Sequence, residues 1–212
     1  MALSFKQTKG KAQKSSVESY EYKDGENSVR IIGGVLPRYV YWVKGTNNKD
    51  IPIECLAFNR EKEKFDNLEK DWVPEYHPDL KCSWSYAVNC IDPRDGKVKV
   101  LNLKKKLFEQ ILTAAEDLGD PTDYDTGWDV VFKRTKTGPL AFNVEYTLQV
   151  LRCKPRALTD AERELADKAQ LIDEKYVRST PDEVKALLDK LAAGSDEDES
   201  TTSEQEAIKE LG

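Results

Sequence analysis

Hydrophobic and polar residues alternate along much of this chain, and a period of two predicts a mainly β protein. The clearest run is "KCSWSYAVNCI", residues 81–91, in which every second side chain is apolar or aromatic. The turn sequence "DPRDG" follows, and "KVKVLNL" continues as a return strand, so residues 81–103 are predicted to form a β-hairpin. Further strands are predicted over residues 28–32, 38–43 and 51–58, and a second hairpin over residues 128–153.

A helical period replaces this alternation in two places within the β-rich part. The segment "NREKEKFDNLEKDW" puts Phe65, Leu68 and Trp72 on one side and predicts a charged helix over residues 59–72. A second helix is predicted after three consecutive lysines and is expected to end at Gly119. The apolar stripe of this second helix consists of Leu107, Ile111, Leu112, Ala115 and Leu118.

The last part of the chain carries N-cap signals in place of strand patterns. Thr159 precedes one acidic helical segment, and Ser179 or Thr180, followed by Pro181, precedes another. Two short, solvated helices are therefore predicted after Pro155.

Charge divides the chain further. Residues 1–16 carry four Lys and no acidic residue, residues 17–156 carry 22 basic and 23 acidic groups, and residues 157–212 carry 7 basic and 16 acidic groups. We predict a basic flexible arm (1–16), a β-domain (17–156), a helical extension (157–194) and an acidic disordered tail (195–212). Such asymmetry is typical of nucleic-acid binders with a masking or partner-recruiting tail, although charged termini also serve solubility alone.

Composition excludes several classes of protein. No apolar run approaches the ~18 residues of a membrane-spanning helix, and the first residues lack the apolar centre of a secretion signal. A cytoplasmic protein without membrane association is therefore predicted. The four cysteines are widely spaced, and in that compartment reduced thiols are favoured over disulfides.

Catalytic constellations are not evident. The one histidine, His77, lies in a loop without a nearby nucleophile pattern, and "IGGV" lacks the Lys and Ser/Thr of a phosphate-binding loop. We predict no enzymatic activity and no cofactor.

Four residues match the usual number of zinc ligands but not their usual spacing, namely Cys55, His77, Cys82 and Cys90. Cys82 and Cys90 lie on one predicted strand, about 26 Å apart. One zinc ion would reach both only if the strand were broken. Buried free thiols are the favoured interpretation, and no metal site is predicted.

Aromatic residues on the predicted strands are interleaved with Lys and Arg. Rings stack on bases and cations bind phosphates, which together suit a groove for single-stranded nucleic acid, although each ring taken singly is as well explained as core. The residues predicted to bind nucleic acid are Arg38, Tyr39, Tyr41, Lys81, Trp84, Tyr86, Lys97, Lys99, Lys104, Lys105, Lys106, Phe108, Lys133 and Arg134.

The stretch "WSYAVNCIDPRDGKVKVLNLKKKLFEQI", residues 84–111, resembles the single-stranded-DNA-binding (helix-destabilising) proteins of T-even-type bacteriophages. Shared features are an aromatic strand, an Asp-Pro turn, a Gly-Lys-Val return strand and basic residues entering a helix. "VRIIGGVLP" and "GWDVVFKRTKTG" match two other strands of that family, so the resemblance spans residues 28–155.

The resemblance implies an OB-fold-like barrel with an inserted helix and short C-terminal helices, coating single-stranded DNA without sequence preference. It implies roles in phage DNA replication, recombination and repair in the cytoplasm of an infected bacterial host. It also implies self-association on DNA through the arm, and binding of a polymerase, helicase or nuclease through the tail. T-even members bind zinc through one His and three Cys, whereas this chain has Cys55 alone near such a position, which implies a zinc-free relative.

The sequence leaves two rival hypotheses open. One is a protein-interaction adaptor of a replication complex with weak affinity for nucleic acid. The other is a protein that binds RNA or duplex.

Overall fold

The computed structural model describes residues 18–45, 47–140 and 143–194. Its strands are β1 (Gly25–Leu36), β2 (Tyr39–Lys44), β3 (Asp50–Glu54), β4 (Phe58–Asn59), β5 (Lys64–Phe65), β6 (Ser83–Trp84), β7 (Tyr86–Asp92), β8 (Lys97–Leu103), β9 (Val130–Lys136) and β10 (Val144–Leu148). Its helices are α1 (Val73–Tyr76), α2 (Lys105–Leu118), α3 (Asp160–Lys168), α4 (Ile172–Lys175) and α5 (Pro181–Ala192), with a 3₁₀ turn at Val150–Arg152. The predicted arm (1–16) and tail (195–212) lie outside the described residues.

Five antiparallel strands form the main sheet, in the order β10-β9-β1-β7-β8. Strands β1, β7 and β8 neighbour one another in chain order, and β9 returns through α2 to lie on the other side of β1. This is the Greek-key order. All seven residues of β7 are buried, so both faces of the sheet are covered at this strand. The predicted mainly β class and the predicted hairpin over residues 81–103 are confirmed.

Strand β1 joins the two halves of the sheet because it changes partner along its length. Its first part pairs with β9 as far as Val29, and its second part pairs with β7 from Arg30 onward. Between Ile32 and Val35 the register shifts, and Gly33 there has φ +70°. Glycine adopts this left-handed conformation without steric cost, and a bulge bends the strand. The predicted Gly-Gly break is therefore a bulge inside one strand.

Helix α2 links the core to the outer strand β10. Its residues Leu107, Ile111 and Ala114 are buried, whereas Leu112, predicted on the same stripe, is 53% exposed. The Gln110 side chain donates a hydrogen bond to a β10 carbonyl and accepts one from a β10 N–H, at 3.2 and 2.8 Å. The helix ends at Gly119, as predicted, with φ +81°.

The segment before β1 covers the opposite outer strand, β8. Ser19 bridges Val100 in parallel, and the Tyr22 hydroxyl donates to the Asn102 carbonyl at 2.7 Å. The Tyr22 ring also contacts Tyr146 of β10, with ring centroids 5.0 Å apart. Side chains from this segment therefore span the space between β8 and β10, the two strands at the ends of the sheet order.

Residues between β1 and β7 form an inserted unit with its own apolar core. It contains the sheet β3-β2-β6, the hairpin β4-β5 and the single turn α1. Tyr41, Ile53 and Phe58 are buried in this core, together with Val184 and Leu188 from α5. The C-terminal helix thus packs on the insertion.

The helix predicted over residues 59–72 is wrong, because this segment begins with the β4–β5 hairpin. The Asn59 side chain accepts hydrogen bonds from the backbone N–H groups of Glu61 and Lys62, both at 3.0 Å. This local capture of backbone donors favours a turn over a helix. Glu63 and Asn67 have positive φ angles of 47° and 53°, which a right-handed helix does not allow. Leu68, predicted on the apolar face, is 74% exposed.

The predicted caps after Pro155 are confirmed, with Thr159 capping α3 and Thr180, rather than Ser179, capping α5. The expectation of merely solvated helices is wrong for this part, because α5 contributes buried side chains and α4 buries Ile172. None of the helices in the described ranges combines the length and the apolar character that a bilayer crossing needs.

Candidate nucleic-acid interface

Six aromatic rings meet where the inserted unit joins the main sheet, and we call them the aromatic cluster. Neighbouring rings lie 3.5 to 6.5 Å apart between centroids. The members are Tyr39, Phe58, Phe65, Trp84, Tyr86 and Phe108. Phe58 and Tyr86 are buried, Phe65 is 51% exposed, and the other three are partly exposed. The cluster therefore has a core side and a solvent side.

Trp84 and Tyr86 form the most closely stacked pair in the cluster. Their centroids are 3.5 Å apart with ring planes 15° from parallel, and Trp84 Nε1 donates to the Leu103 carbonyl at 3.0 Å. Because Tyr86 is 5% exposed and Trp84 is partly exposed, the accessible surface of the pair belongs to Trp84. Burial, followed by a hydrogen bond to Glu63, raises the pKa of Tyr86, so this ring stays neutral.

The N-terminus of α2 lies beside this cluster and carries the three consecutive lysines. Lys104 occupies the N-cap with no capping bond from its side chain, and the first turn holds no acidic residue. Lys105 and Lys106 are exposed, and they precede Phe108 by three and two residues on the helix. Uncapped N–H groups and the helix dipole favour an anion at this end.

Lys104 does not share the exposure of its two neighbours. It is 7% exposed, and its ammonium lies over the rings of Tyr22 at 5.6 Å and Tyr146 at 5.8 Å. Protein therefore covers this cation. The predicted triplet divides into one buried lysine that packs on rings and two exposed lysines.

The β4–β5 hairpin brings two further cations to the cluster, Lys62 and Lys64, in the segment for which the sequence pattern predicts a helix. Both are exposed and flank Glu63, next to the exposed ring of Phe65. The signal that could have found this hairpin is the turn-forming Asn59 after Phe58, with Phe65 paired to Phe58 across it.

Arg38, Tyr41 and Tyr86 were predicted to bind nucleic acid, but they are 5 or 6% exposed. The Arg38 guanidinium lies 3.7 Å from the centre of the Tyr176 ring, and the Tyr41 hydroxyl donates to Asp71 at 3.1 Å. We leave these three side chains and Lys104 out of the interface because protein atoms occupy the surfaces that a base or phosphate would need.

Lys97 and Lys99 lie at the other end of the β7–β8 hairpin, which runs from the Tyr86–Leu103 pair to the Asp92–Lys97 pair. Six residues of strand separate these ends by about 20 Å. Lys99 contacts the carboxylates of Asp92 at 2.9 Å and Asp95 at 2.7 Å. Burial alone would lower the pKa of Lys99, and these hydrogen bonds raise it instead. The fold does not bring these lysines to the cluster.

The remaining predicted cations lie apart from one another. Lys81 is exposed and precedes Trp84 by three residues. Lys133 is exposed on β9 opposite Glu26, and Arg134 contacts Asp24 and the Tyr146 hydroxyl. Within the described ranges, the exposed or partly exposed side chains at the aromatic cluster and the start of α2 are those of Tyr39, Trp84, Lys105, Lys106 and Phe108 from the prediction, with Phe65, Lys62 and Lys64 in addition.

No group of three or more His, Cys, Asp and Glu side chains in the part of the chain that the structure describes could hold a metal ion. All four cysteines are free thiols.

Comparison with known proteins points to nucleic-acid binding in one relative. The chain is 32% identical over 161 residues to a protein of Escherichia phage T5 described as a probable ssDNA-binding protein. The match covers 70% of this chain and 60% of the relative's length. That relative comes from phage T5, so it lends no support to the T-even part of the resemblance. No protein-family model and no solved structure matches the chain.

Proposed function

We propose that this chain binds single-stranded DNA without sequence preference, as a binding protein and not an enzyme. The observation that carries the proposal is the convergence of partly exposed rings with exposed lysines at an uncapped helix N-terminus. The name of the phage T5 relative, a probable ssDNA-binding protein, supports the same conclusion.

Each part of the surface suits one part of a polynucleotide. Trp84, Phe65 and Phe108 offer ring surface for bases, and every base has a π-face, so stacking tolerates any sequence. Lys105 and Lys106 offer ammonium groups to phosphates, next to the N–H groups at the start of α2. Binding should weaken with salt, by roughly 0.7 log units per phosphate contacted.

We further propose that the main sheet is an OB-fold barrel. The Greek-key order, the helix between β8 and β9 and the bulge in β1 support this. OB-folds bind oligonucleotides on the face of their second and third strands and through the loops after the first and fourth strands. In this chain those strands are β7 and β8, and the inserted unit with the aromatic cluster occupies the position of the first of these loops.

The decisive experiment is a titration with oligo-dT over a salt series, followed by tryptophan fluorescence. Stacking on Trp84 should quench the emission, and the affinity should fall with salt. An adaptor with little affinity for nucleic acid would leave the fluorescence unchanged. Competition with RNA and with duplex of equal length tests the remaining rival, because tighter binding of either would replace the DNA proposal.

The wider role proposed is that of a phage protein that coats single-stranded DNA during replication, recombination and repair in the cytoplasm of an infected bacterial cell. We propose that the arm (Lys6, Lys9, Lys11 and Lys14) supports self-association on DNA. We propose that the acidic tail binds a polymerase, helicase or nuclease and competes with DNA for the interface. Deletion of residues 195–212 should then tighten oligo-dT binding; unchanged or weaker binding would contradict the competition.

A further inference from the structure

A groove of about 760 Å³ lies between the bulge of β1, the β4–β5 hairpin and the start of α4, and we call it the bulge groove. Residues 33–37, several residues between 59 and 69, and residues 171–173 line it. The buried side chains of Leu56 and Asn89 line it as well. A volume of this size is typical of pockets that enclose a drug-sized ligand, and it suits a few residues of a peptide.

Three apolar side chains of the bulge groove are exposed to solvent. Val35 is 41% exposed, Leu171 is 57% exposed and Leu68 is 74% exposed. They belong to three separate elements, namely β1, the segment after the β4–β5 hairpin and the segment before α4. A single exposed leucine is ordinary on a protein surface, but apolar side chains from three elements around one concave surface indicate an interaction site.

The bulge groove also carries an excess of negative charge. Its charged lining residues are Glu61, Asp66, Glu69 and Asp173 against Arg60 and Arg178. Both arginines are already engaged, because Arg60 contacts Glu54 at 2.7 Å and Arg178 contacts Glu69 at 3.0 Å. The two lysines of the hairpin are not among the lining residues. The charge of the groove therefore favours a basic occupant.

The N-terminal arm has the matching chemistry. It carries four lysines and no acidic residue, and Leu3 and Phe5 are among its apolar residues. The tail (195–212) and the phosphates of DNA are negatively charged, so the acidic residues of the groove would repel both.

The arm also joins the described chain close to the groove. The Glu18 carbonyl accepts a hydrogen bond from the Val100 N–H at 2.8 Å, and Val100 pairs with Asn89, which lines the groove. Two steps between neighbouring strands, about 10 Å in all, therefore separate Glu18 from the groove. Phe5 precedes Glu18 by 13 residues, which span up to about 43 Å, enough for the chain to reverse direction on the way.

From these observations we propose that the bulge groove binds the arm of the same chain. The Phe5 ring packs against the exposed Leu68 and Leu171, and the arm lysines lie beside the acidic residues of the groove. A short tether gives the arm an effective concentration in the millimolar range, so the chain's own arm outcompetes the arm of a second copy in dilute solution.

Docking of the arm has a consequence for DNA binding, which rests on the proposed function. The arm lysines that face the groove are the groups that phosphates would attract. A bound polynucleotide should therefore draw the arm out of the groove and free it for self-association on DNA.

The docking is tested on the full chain without DNA. Phe5 is replaced by the photo-cross-linking residue p-benzoylphenylalanine, and the illuminated chain is analysed by denaturing gel and peptide mass spectrometry. Cross-links within one chain to residues 33–37, 66–69 or 171–173 should form, with a yield independent of protein concentration. Cross-linked dimers, cross-links to other segments, or no cross-link would overturn the proposal.

The apolar contact is tested by Leu68→Ser with Leu171→Ser, which should reduce the cross-link several-fold. Both side chains are more than half exposed, so the thermal melting temperature should not change. Val150→Ser with Leu151→Ser is the matched control, because these side chains are also exposed but do not line the groove. Equal yields in the two double variants would count against the docking site.

The charge of the groove is tested by Glu61→Lys with Asp173→Lys. This change should also lower the yield several-fold, because it places positive charge against the arm lysines, and added salt should lower the yield in the unmutated chain. Glu116→Lys with Glu164→Lys makes the same change in net charge outside the groove and should keep the yield. A drop of the same size in this control would show that net charge alone is responsible.

The consequence for DNA is measured separately, as the cross-link yield with and without saturating oligo-dT. A several-fold loss of the groove cross-link supports release of the arm. If oligo-dT binds and the cross-link persists, release fails while the docking site stands. If oligo-dT does not bind, the proposed function fails, and the cross-links formed without DNA still decide the docking site.

Discussion

Helices α3 and α5 begin with a capping side chain and acidic residues, whereas helix α2 begins with neither. Thr159 and Thr180 each accept a hydrogen bond from the N–H of the glutamate three residues later, and each glutamate bonds back to the threonine N–H. Acidic side chains occupy both first turns, where they complement the helix dipole. At α2, the N-cap is Lys104, whose side chain makes no capping hydrogen bond, and Lys105 and Lys106 add positive charge to a positive end.

The difference shows that the starts of α3 and α5 are optimised for helix stability, whereas the start of α2 is not. An N-cap contributes about 1 kcal/mol, and a favourable charge in the first turn contributes about 0.3–1 kcal/mol. The start of α2 lacks both contributions and lies beside exposed rings, while the capped helices lie elsewhere. A bound polyanion would supply the missing cap and the missing negative charge, so the arrangement that weakens the free helix favours the complex.

Charge reversal at the start of α2 should produce the largest change in DNA affinity among the variants that test this comparison. Lys105→Glu with Lys106→Glu should weaken oligo-dT binding roughly 100-fold at low salt, because two charge-assisted contacts of ~1.5 kcal/mol each are lost. The salt slope should fall by about 1.4. Thermal stability should stay equal or rise, because acidic residues suit a helix start. Fluorescence titration and thermal melting measure the two effects.

The matched control is Lys185→Glu with Lys190→Glu on α5, which makes the same change in net charge at another place. If both double variants weaken binding equally, net charge and not the α2 site is responsible.

Removal of the Trp84 ring tests whether the start of α2 belongs to a DNA-binding interface. Trp84→Ala should cost ~1–3 kcal/mol of binding free energy, because a base loses its stacking partner. Trp72 is also partly exposed and lies beneath Lys70 and Lys185, at 4.8 and 5.6 Å from its ring. Trp72→Ala should reduce stability but keep the affinity. Equal loss of affinity in both variants, measured by fluorescence anisotropy with labelled oligo-dT, would refute a role specific to Trp84.

Removal of a cap tests the other side of the comparison. Thr180→Ala should lower the free energy of unfolding by about 1 kcal/mol, because the N–H of Glu183 loses its acceptor. Oligo-dT affinity should not change. Ser179→Ala is the control, since Ser179 was the alternative cap in the sequence and should have no effect on urea unfolding. A larger effect from Ser179 than from Thr180 would contradict the cap.

Acid titration tests how much the capping glutamate of α3, Glu162, contributes to the stability of the fold. Hydrogen bonds from Arg156, then from Thr159, lower the pKa of Glu162 from 4.5 to about 2, although burial opposes the shift. A carboxyl with a lowered folded-state pKa stabilises the fold above its unfolded pKa, and this stabilisation is lost as the pH falls through the folded pKa. Between pH 4.5 and 2, unfolding midpoints should therefore fall less steeply in Glu162→Gln than in the unmutated chain. Glu164→Gln, on an exposed pair with Lys168, should behave like the unmutated chain.

Local signals explain most of what could be predicted about the fold. Alternation and the Asp-Pro turn are sufficient for the β7–β8 hairpin, because its strands are adjacent in sequence. The caps at Thr159 and Thr180 and the stop at Gly119 are likewise decided by a few neighbouring residues. The helix prediction over residues 59–72 was wrong because a helical spacing of Phe65, Leu68 and Trp72 also arises by chance in a short charged stretch. There the turn formed by Asn59 competes successfully with a helix.

The candidate site was predicted only in part, for a different physical reason. The sequence supplied the residue types, namely strand aromatics and three lysines before a helix. It contained no information on which of the three lysines would pack beneath Tyr22 and Tyr146, or that Arg38 and Tyr41 would be buried. It also did not show that Phe65 and Trp84, 19 positions apart, would both contact the Tyr39 ring.

By itself, then, the sequence determined a mainly β chain, its hairpins, its capped helices and a surplus of rings and cations suited to a polyanion. Tertiary structure alone decided which of those rings face solvent and which cations remain exposed beside them. The physical reason is that exposure depends on contacts between segments distant in the chain. The inserted unit, the segment before β1 and helix α5 each cover surface that their own local patterns do not specify.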